Sequence, residues 1–338
     1  MTPDQAVALS LLEDLSRVGL TERLLGDDPQ LLERAGHRLA EAQAARAAAA
    51  TAGIHVLPWN APGFPPILLT LPDCPPGLWY RGTLDCLAAP AVAIVGSRAA
   101  TGVGLEAASR MASGLAALGI TVVSGLARGV DSAAHRAALR AGRTVAVLGS
   151  GPDRIYPSEH RVLAAEIAAR GAVVSEYPPH TPPLPFHFPM RNRLISGLAS
   201  AVVVIEAAED SGSLITAACA LEQGREVMAV PGNVLTGRNR GGHALIRDGA
   251  TIVECAADVA AALGWPAGPP GGANAGTGNE SDVSGDPVLR HMTPGEPYDV
   301  DALATVSGLD APRLIVVLVS LELSGRVRRV GGGRFVRP

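Results

Sequence analysis

From Ala91 onward the chain alternates between two hydrophobic patterns. Runs such as AVAIVGS, ITVVSG, TVAVLGS, AVVSEY, AVVVIEA, EVMAVPG and TIVEC are apolar at nearly every position, have strand length, and mostly end in Gly or Ser. Between them, GLEAASRMASGLAALG, VDSAAHRAALRAG and SLITAACALEQG repeat their apolar positions at helical spacing. Strands that are apolar on both faces, separated by helices, predict βαβ units and a mostly parallel sheet with helices on both faces.

The flanks carry other patterns. Over residues 1–53 the apolar positions Leu9, Leu12, Leu15, Leu20, Leu24 and Leu25 predict short helices, with an alanine-rich helix ending at Gly53. The Pro-rich stretch 54–90 holds two strand-like pieces, IHVLP and LWYRG, and leads into the sheet, so that one α/β domain is expected over 54–265. Residues 266–286, PAGPPGGANAGTGNESDVSGD, have almost no apolar content and predict a flexible linker. The remainder, 287–338, predicts a helix at VLRHM, two more helices separated by a Ser-Gly turn, and a Gly-centred hairpin. This is the outline of a winged helix-turn-helix, a module that binds duplex DNA or protein.

Composition narrows the chemistry. The chain has 338 residues, 47% hydrophobic, with mean hydropathy +0.23, which suits a buried core. No run approaches the ~20 apolar residues of a membrane span, and MTPDQAV lacks the basic start of a signal peptide, so a cytoplasmic protein without a membrane partner is expected. The sequence has no lysine. All 28 basic side chains are Arg, which excludes a Walker A lysine, a Schiff-base lysine and a lysine general base. The four Cys show no CxxC spacing, and Cys219 and Cys255 sit in apolar contexts that suggest buried, reduced thiols rather than disulfides or a metal site. With a net charge of -4, a polyanion site has to be local.

In an open parallel sheet, ligands bind beyond the carboxyl ends of the strands. Here those ends read Gly96-Ser97-Arg98, Ser124-Gly125, Gly149-Ser150-Gly151 and Ser211-Gly212-Ser213, small residues whose amides can approach a phosphate, with Arg98 and Arg128 beside them. IVGSRAATGVG lacks GxGxxG spacing, and the second of these apolar runs ends in Ser124 instead of an acid, which disfavours a nicotinamide cofactor. No GxSxG or HExxH occurs. The segment PLPFHFPMRNR places two of only four Phe, with His187 between them, in a long loop ahead of Arg191, Asn192 and Arg193. Phe186, His187 and Phe188 beside these Arg would suit stacked bases and phosphates of a single strand. Alternatively, the two Phe anchor the loop to the core, and Arg191 and Arg193 pair with Glu206 or Glu209.

The motifs AIVGSRAAT, VVSGLARGVDSAAHRAAL, VAVLGSGPDRIYPSEH, VVSEYPP, FPMRNRLISGLA, VVVIEAAEDSGSLITAACALEQGREVMAVPGN and LIRDGA resemble the DNA-processing protein A (DprA/Smf) family almost continuously over 55–265. That resemblance implies a Rossmann-like, non-catalytic, cofactor-free domain. It would bind single-stranded DNA as a homodimer, protect incoming DNA and load the RecA recombinase in natural transformation and recombination. Carried over by motif, the DNA pocket would use Gly96, Ser97, Arg98, Ser124, Gly125, Gly149, Gly151, Phe188, Arg191, Asn192, Arg193, Ser211, Gly212 and Ser213, with Phe186 and His187 from the same loop. Where the family often carries a pocket Lys this chain has Pro183, Pro185 and Ser158, with Arg154, Arg161 and His187 nearby. The first 53 residues resemble the family's SAM-like or helix-hairpin-helix module. The C-terminal piece resembles its winged helix, with Arg326, Arg328, Arg329, Arg334 and Arg337 as candidate phosphate contacts. The rival reading is a nucleotide or sugar-phosphate hydrolase similar to the lysine-decarboxylase-like phosphoribohydrolases. Its matching stretch, SGSLITAACALE, offers Glu222 as the first acid, far into the helix.

Overall fold

The computed structural model describes residues 1–12, 14–266, 288–293, 295–323, 325–330 and 333–337. The chain divides into two compact units, Met1–Gly268 and Pro269–Pro338. The linker expected over 266–286 lies, except for Pro266, outside the described residues.

The first unit is built on nine strands: β1 (His55–Pro58), β2 (Gly77–Gly82), β3 (Ala91–Val95), β4 (Thr121–Ser124), β5 (Thr144–Val147), β6 (Ala172–Ser175), β7 (Ala201–Val204), β8 (Glu226–Ala229) and β9 (Thr251–Ile252). Their order is β1-β2-β6-β5-β4-β3-β7-β8-β9. Strands β3 to β9 pair in parallel, while β2 runs antiparallel to both β6 and β1. The two strand-like pieces ahead of Ala91 thus extend the sheet as an antiparallel edge. Chain order runs outward from β3 to β6 and resumes on the other side of β3 at β7, so the topological switch point lies between β3 and β7.

Successive strand residues feed opposite cores, which is why the strands read as unbroken apolar runs. Val92, Ile94, Val122 and Val203 face a layer formed by α6 (Gly102–Ala117), α7 (Val130–Ala141) and α12 (Ala256–Ala262), through Met111, Leu115, Ala134, Ala138 and Val259. Ala93, Val95, Val123, Val202 and Val204 face the other layer, where Leu194 and Ile195 of α9 (His187–Gly197) and Ala217 and Ala220 of α10 (Ser213–Glu222) pack.

Short N-terminal helices form, α1 (Pro3–Ser10), α2 (Leu20–Leu25), α3 (Pro29–Gly36) and α4 (Leu39–Thr51), but Leu12 and Leu15, expected on a helix with Leu9, lie in the non-helical stretch after α1. Thr2 starts α1 with a capping box, and Asp28 caps α3. Their buried Leu9, Leu24 and Leu31 share a core with Trp79 of β2, whose indole donates to Ser10 Oγ at 3.2 Å. The helices are therefore fastened to the sheet edge. Cys255 departs from expectation: the strand stops at Ile252, and Cys255 lies exposed at the start of α12, whereas Cys74 and Cys86 are buried.

In the second unit, helices Val300–Ser307 and Ala311–Leu323 stand against a three-stranded sheet ordered β10 (Pro297–Tyr298), β12 (Arg334–Val336), β11 (Arg328–Val330). Gly308 closes the first helix in the left-handed conformation, φ 71°, which a side chain would disfavour. Leu303, Leu314, Leu318, Val327 and Phe335 form the core, and the expected first helix at VLRHM is a single 3-10 turn, Leu289–His291. Ile315, Val316 and Val319 are exposed on the longer helix. That face is apolar, unlike the polar face that reads a DNA groove. Among the described residues no single helix is long and apolar enough to cross a membrane.

Candidate nucleic-acid interface

The carboxyl ends of β3, β4, β5 and β7 meet at one rim, and glycines let their turns close on one another. A Cβ at Gly129, which has φ +71°, would lie 2.2 Å from the Ser97 carbonyl, and one at Gly96 would lie 2.7 Å from Val130. The turn Gly96–Ser97–Arg98 is held by Ser97 N donating to the Glu206 carbonyl at 2.7 Å and by Val130 N donating to the Ser97 carbonyl. Its last residue, Arg98, is exposed and makes no hydrogen bond or ion pair with the described residues. It lies near enough to Arg191 for the two charges to repel.

The other expected donors are largely committed inward, which corrects the simple picture of an amide-lined cradle. Ser124 is buried and its hydroxyl donates to the Ile94 carbonyl at 2.6 Å, tying β4 to β3. The Gly125 amide is given to Asp131 Oδ2 at 3.1 Å, with Ala127 N on the same oxygen at 3.2 Å. The Gly151 amide is given to the Thr181 carbonyl, and Gly149 is buried beneath Phe188, whose ring would lie 3.1 Å from a Cβ there. Ser211 and Ser213 bond each other at 2.7 Å ahead of α10, while Gly212 is exposed and its carbonyl accepts from Asn192 at 3.4 Å.

The Arg-Asn-Arg run also differs from expectation. Phe186 is the cap of α9, so His187 to Arg193 lie on a helix, not in a loop. Arg191 falls on the buried stripe of that helix with His187, Leu194, Ile195 and Leu198, and is 4% exposed. Its guanidinium donates to the carbonyls of Gly125 and Val147 under the rim. Burial depresses it to about 10, opposed by the nearby Asp131 carboxylate, and burial likewise raises Asp131 despite Arg191. Arg193 pairs with Asp73 at 2.7 Å and Glu176 at 2.8 Å, and Glu176 also holds Arg17 of the N-terminal segment at 2.7 Å. Neither Arg pairs with Glu206 or Glu209.

Aromatic side chains also face solvent here. Phe186 is 59% exposed, Tyr156 is 49% exposed, and Phe188 is partly exposed with its ring 5.4 Å from that of Tyr156. His187 is buried, stacked on Tyr177 with centroids 4.0 Å apart, and bonded to the Gly149 carbonyl at 3.2 Å. Arg128 is exposed but pairs with Glu159 at 2.6 Å, and Arg154 lies 3.6 Å from Asp153. In the wing, Arg328, Arg329 and Arg334 are exposed and Arg326 is half-buried, with Arg329 5.9 Å above the Phe335 ring, while Arg337 donates to the Leu289 and Met292 carbonyls.

Glu206, expected only as a possible partner of Arg191 or Arg193, has another role. Its carboxylate, 7% exposed, accepts from Thr101 N at 3.2 Å and Thr101 Oγ1 at 2.6 Å, so it occupies the N-terminus of α6 beside the switch point. That is where a dinucleotide phosphate would sit. An acid directly after β7 in VVVIEAA is the signal that was available.

The family model described as DNA recombination-mediator protein A matches residues 55–264, and the DprA winged helix domain matches 275–333. The Smf protein of Escherichia coli is 40% identical over 289 residues, 84% of this chain and 77% of its own length. The DNA processing protein DprA of Streptococcus pneumoniae is 47% identical over 190 residues, 56% of this chain and 67% of its own. Its X-ray structure superposes with TM-score 0.68, 36% identity, and coverage of 77% of this chain and 98% of that one. A Helicobacter pylori DNA processing protein A, described for its single-stranded DNA binding mode, gives TM-score 0.57, 29% identity, and coverage of 62% and 95%. With a Rossmann-like sheet, a winged helix and matches over most of its length, the chain belongs to the DNA-processing protein A (DprA/Smf) family.

Proposed function

We propose that this protein processes DNA by binding a single strand along the carboxyl rim of its sheet. In this reading it protects incoming DNA and loads RecA recombinase onto it during natural transformation, working as a cytoplasmic homodimer without catalytic activity of its own. One observation carries the reading: Arg98 stands exposed and, among the described residues, unpaired on the same rim as the exposed faces of Phe186, Phe188 and Tyr156. A guanidinium holds a phosphate while aromatic faces stack bases of any sequence. The relatives' printed names, DNA processing protein and single-stranded DNA binding, support it.

Among the other rim residues we assign contact roles to Gly96, Ser97, Asn192 and Gly212. Ser124, Gly125, Gly149, Gly151, His187, Arg191, Arg193, Ser211 and Ser213 act mainly by shaping the rim from beneath. We keep the organisation as a helical module 1–53, an α/β domain 54–265, a linker 266–286 and a winged helix 287–338, with wing Arg residues touching phosphate. The hydrolase reading gains no support from the site. Glu222 is the last residue of α10, roughly 13 Å along the axis from its start. Equilibrium binding of labelled oligo-dT across a salt series tests the proposal: the logarithm of the binding constant should fall linearly with log salt, and an absence of binding at low salt would refute it.

A further inference from the structure

A second polar groove opens on the β7–β8 side of the switch point. Its walls are Glu209 and Asp210, after β7, and Thr236, Arg238 and Arg240, before and at the start of α11 (Arg240–Arg247); its volume is about 710 Å³. The turn carrying the two Arg is firmly built. Asn239, 3% exposed, accepts from Ala207 N at 3.0 Å and donates to the Val230 carbonyl at 3.1 Å. It fits so closely that a Cβ on Gly232 would lie 2.4 Å from its Nδ2, and one on Gly242 would lie 2.6 Å from its Oδ1. With residue 239 pinned inward, its neighbours Arg238 and Arg240 are both turned out and exposed. Arg238 then reaches across the switch point, its NH1 donating to the Ala99 carbonyl at 3.1 Å, one residue from Arg98.

We propose that this groove is a second subsite for the same strand of DNA, so that the bound strand runs from the aromatic cluster, past Arg98 and Ala99, to Arg238 and Arg240. The proposal rests on the reading that the rim binds single-stranded DNA, and it adds the direction in which the strand leaves the first site. Two guanidiniums on a fixed turn offer donors to successive phosphates. Glu209 and Asp210 oppose them in the same groove and lower the affinity it would otherwise have.

The test uses the full-length protein, Arg240→Ala, the double variant Arg238→Ala/Arg240→Ala, and the charge-removal variant Glu209→Gln/Asp210→Asn. Each is titrated with oligo-dT of about 6 and about 20 nucleotides, lengths that bracket one and several single-strand sites. Arg240, which makes no bond to the β3–α6 turn, is the cleaner probe. The subsite predicts that the Arg variants bind the short oligonucleotide as wild type does but lose about tenfold for the long one, with the salt slope for the long one falling by roughly 0.7 per contact removed. It also predicts that the acid-removal variant gains affinity for the long oligonucleotide alone. Equal losses at both lengths, or no loss at either together with no gain in the acid-removal variant, would overturn the subsite and leave the first site standing. Failure of wild type to bind either length would overturn both.

Discussion

The rings of Tyr177 and His187 stack with centroids 4.0 Å apart and planes 24° from parallel. That stack draws His187 inward at the start of α9, and its two neighbours are left on the surface, Phe186 at 59% exposure and Phe188 partly so. The histidine is thus the anchor, and the two phenylalanines keep exposed faces.

Replacing Phe188 by Ala should weaken oligo-dT binding by about 1–3 kcal/mol, the usual worth of one stacked base, while leaving the salt slope unchanged. Filter binding at several salt concentrations separates the two effects. A slope that falls along with the affinity would assign Phe188 a different role.

Arg98→Ala should behave in the opposite way. Because Arg98 has no partner among the described residues, its removal should leave the thermal melt within about 0.5 kcal/mol of wild type. The salt slope should fall by roughly 0.7, the value for one single-strand phosphate contact. An unchanged slope would remove Arg98 from the interface.

Glu176 sits between Arg17 and Arg193, with Asp73 on the far side of Arg193. Its side chain is 6% exposed and that of Arg193 is 11% exposed, so removing Glu176 strips Arg17 of its ion pair and leaves the nearly buried Arg193 with Asp73 alone. Glu176→Ala should therefore cost about 3–5 kcal/mol in urea unfolding. Since the cluster joins the N-terminal segment to α9, oligonucleotide binding should fall with stability. A loss under about 1 kcal/mol would show the cluster to be ornamental.

His135 makes stability depend on pH. The Thr144 hydroxyl donates to the Val122 carbonyl at 2.7 Å, so it must accept from His135 Nδ1–H, leaving Nε2 buried without a partner among the described residues. Burial, with repulsion from His160 and Arg191, pushes His135 from 6.5 down to about 3. Between those values the unfolded chain binds a proton that the native chain does not, so the stabilisation is complete above pH 6.5 and is lost as the pH falls toward 3. The urea midpoint of wild type should drop across this window, and the drop should be shallower in His135→Asn. Identical slopes would contradict the assignment.

Much of the fold was legible because burial on both faces writes itself as continuous apolar runs, as in AVAIV and AVVVI. The rim was legible only as a place. Arg191 looked like surface charge because it precedes Asn192 and Arg193, yet its spacing to His187, Leu194, Ile195 and Leu198 follows the inward face of a helix. That periodicity was present in the sequence and was masked by the prolines before it. The partners of Arg193 were not readable, since Asp73 lies far away in sequence and reaches it only through the tertiary fold. Asn239 was passed over, and Glu206 was given the wrong partners, for a similar reason: their bonds go to groups on segments distant in sequence.

Photo-crosslinking of a halogenated oligo-dT to the full-length protein, with the attached peptides mapped by mass spectrometry, locates the bound strand. Adducts are expected on the peptides that carry Phe186, Phe188 and Tyr156, abolished by excess unlabelled oligo-dT and reduced in Arg98→Ala. Adducts confined to the C-terminal unit, with none on the sheet's carboxyl rim, would contradict binding there.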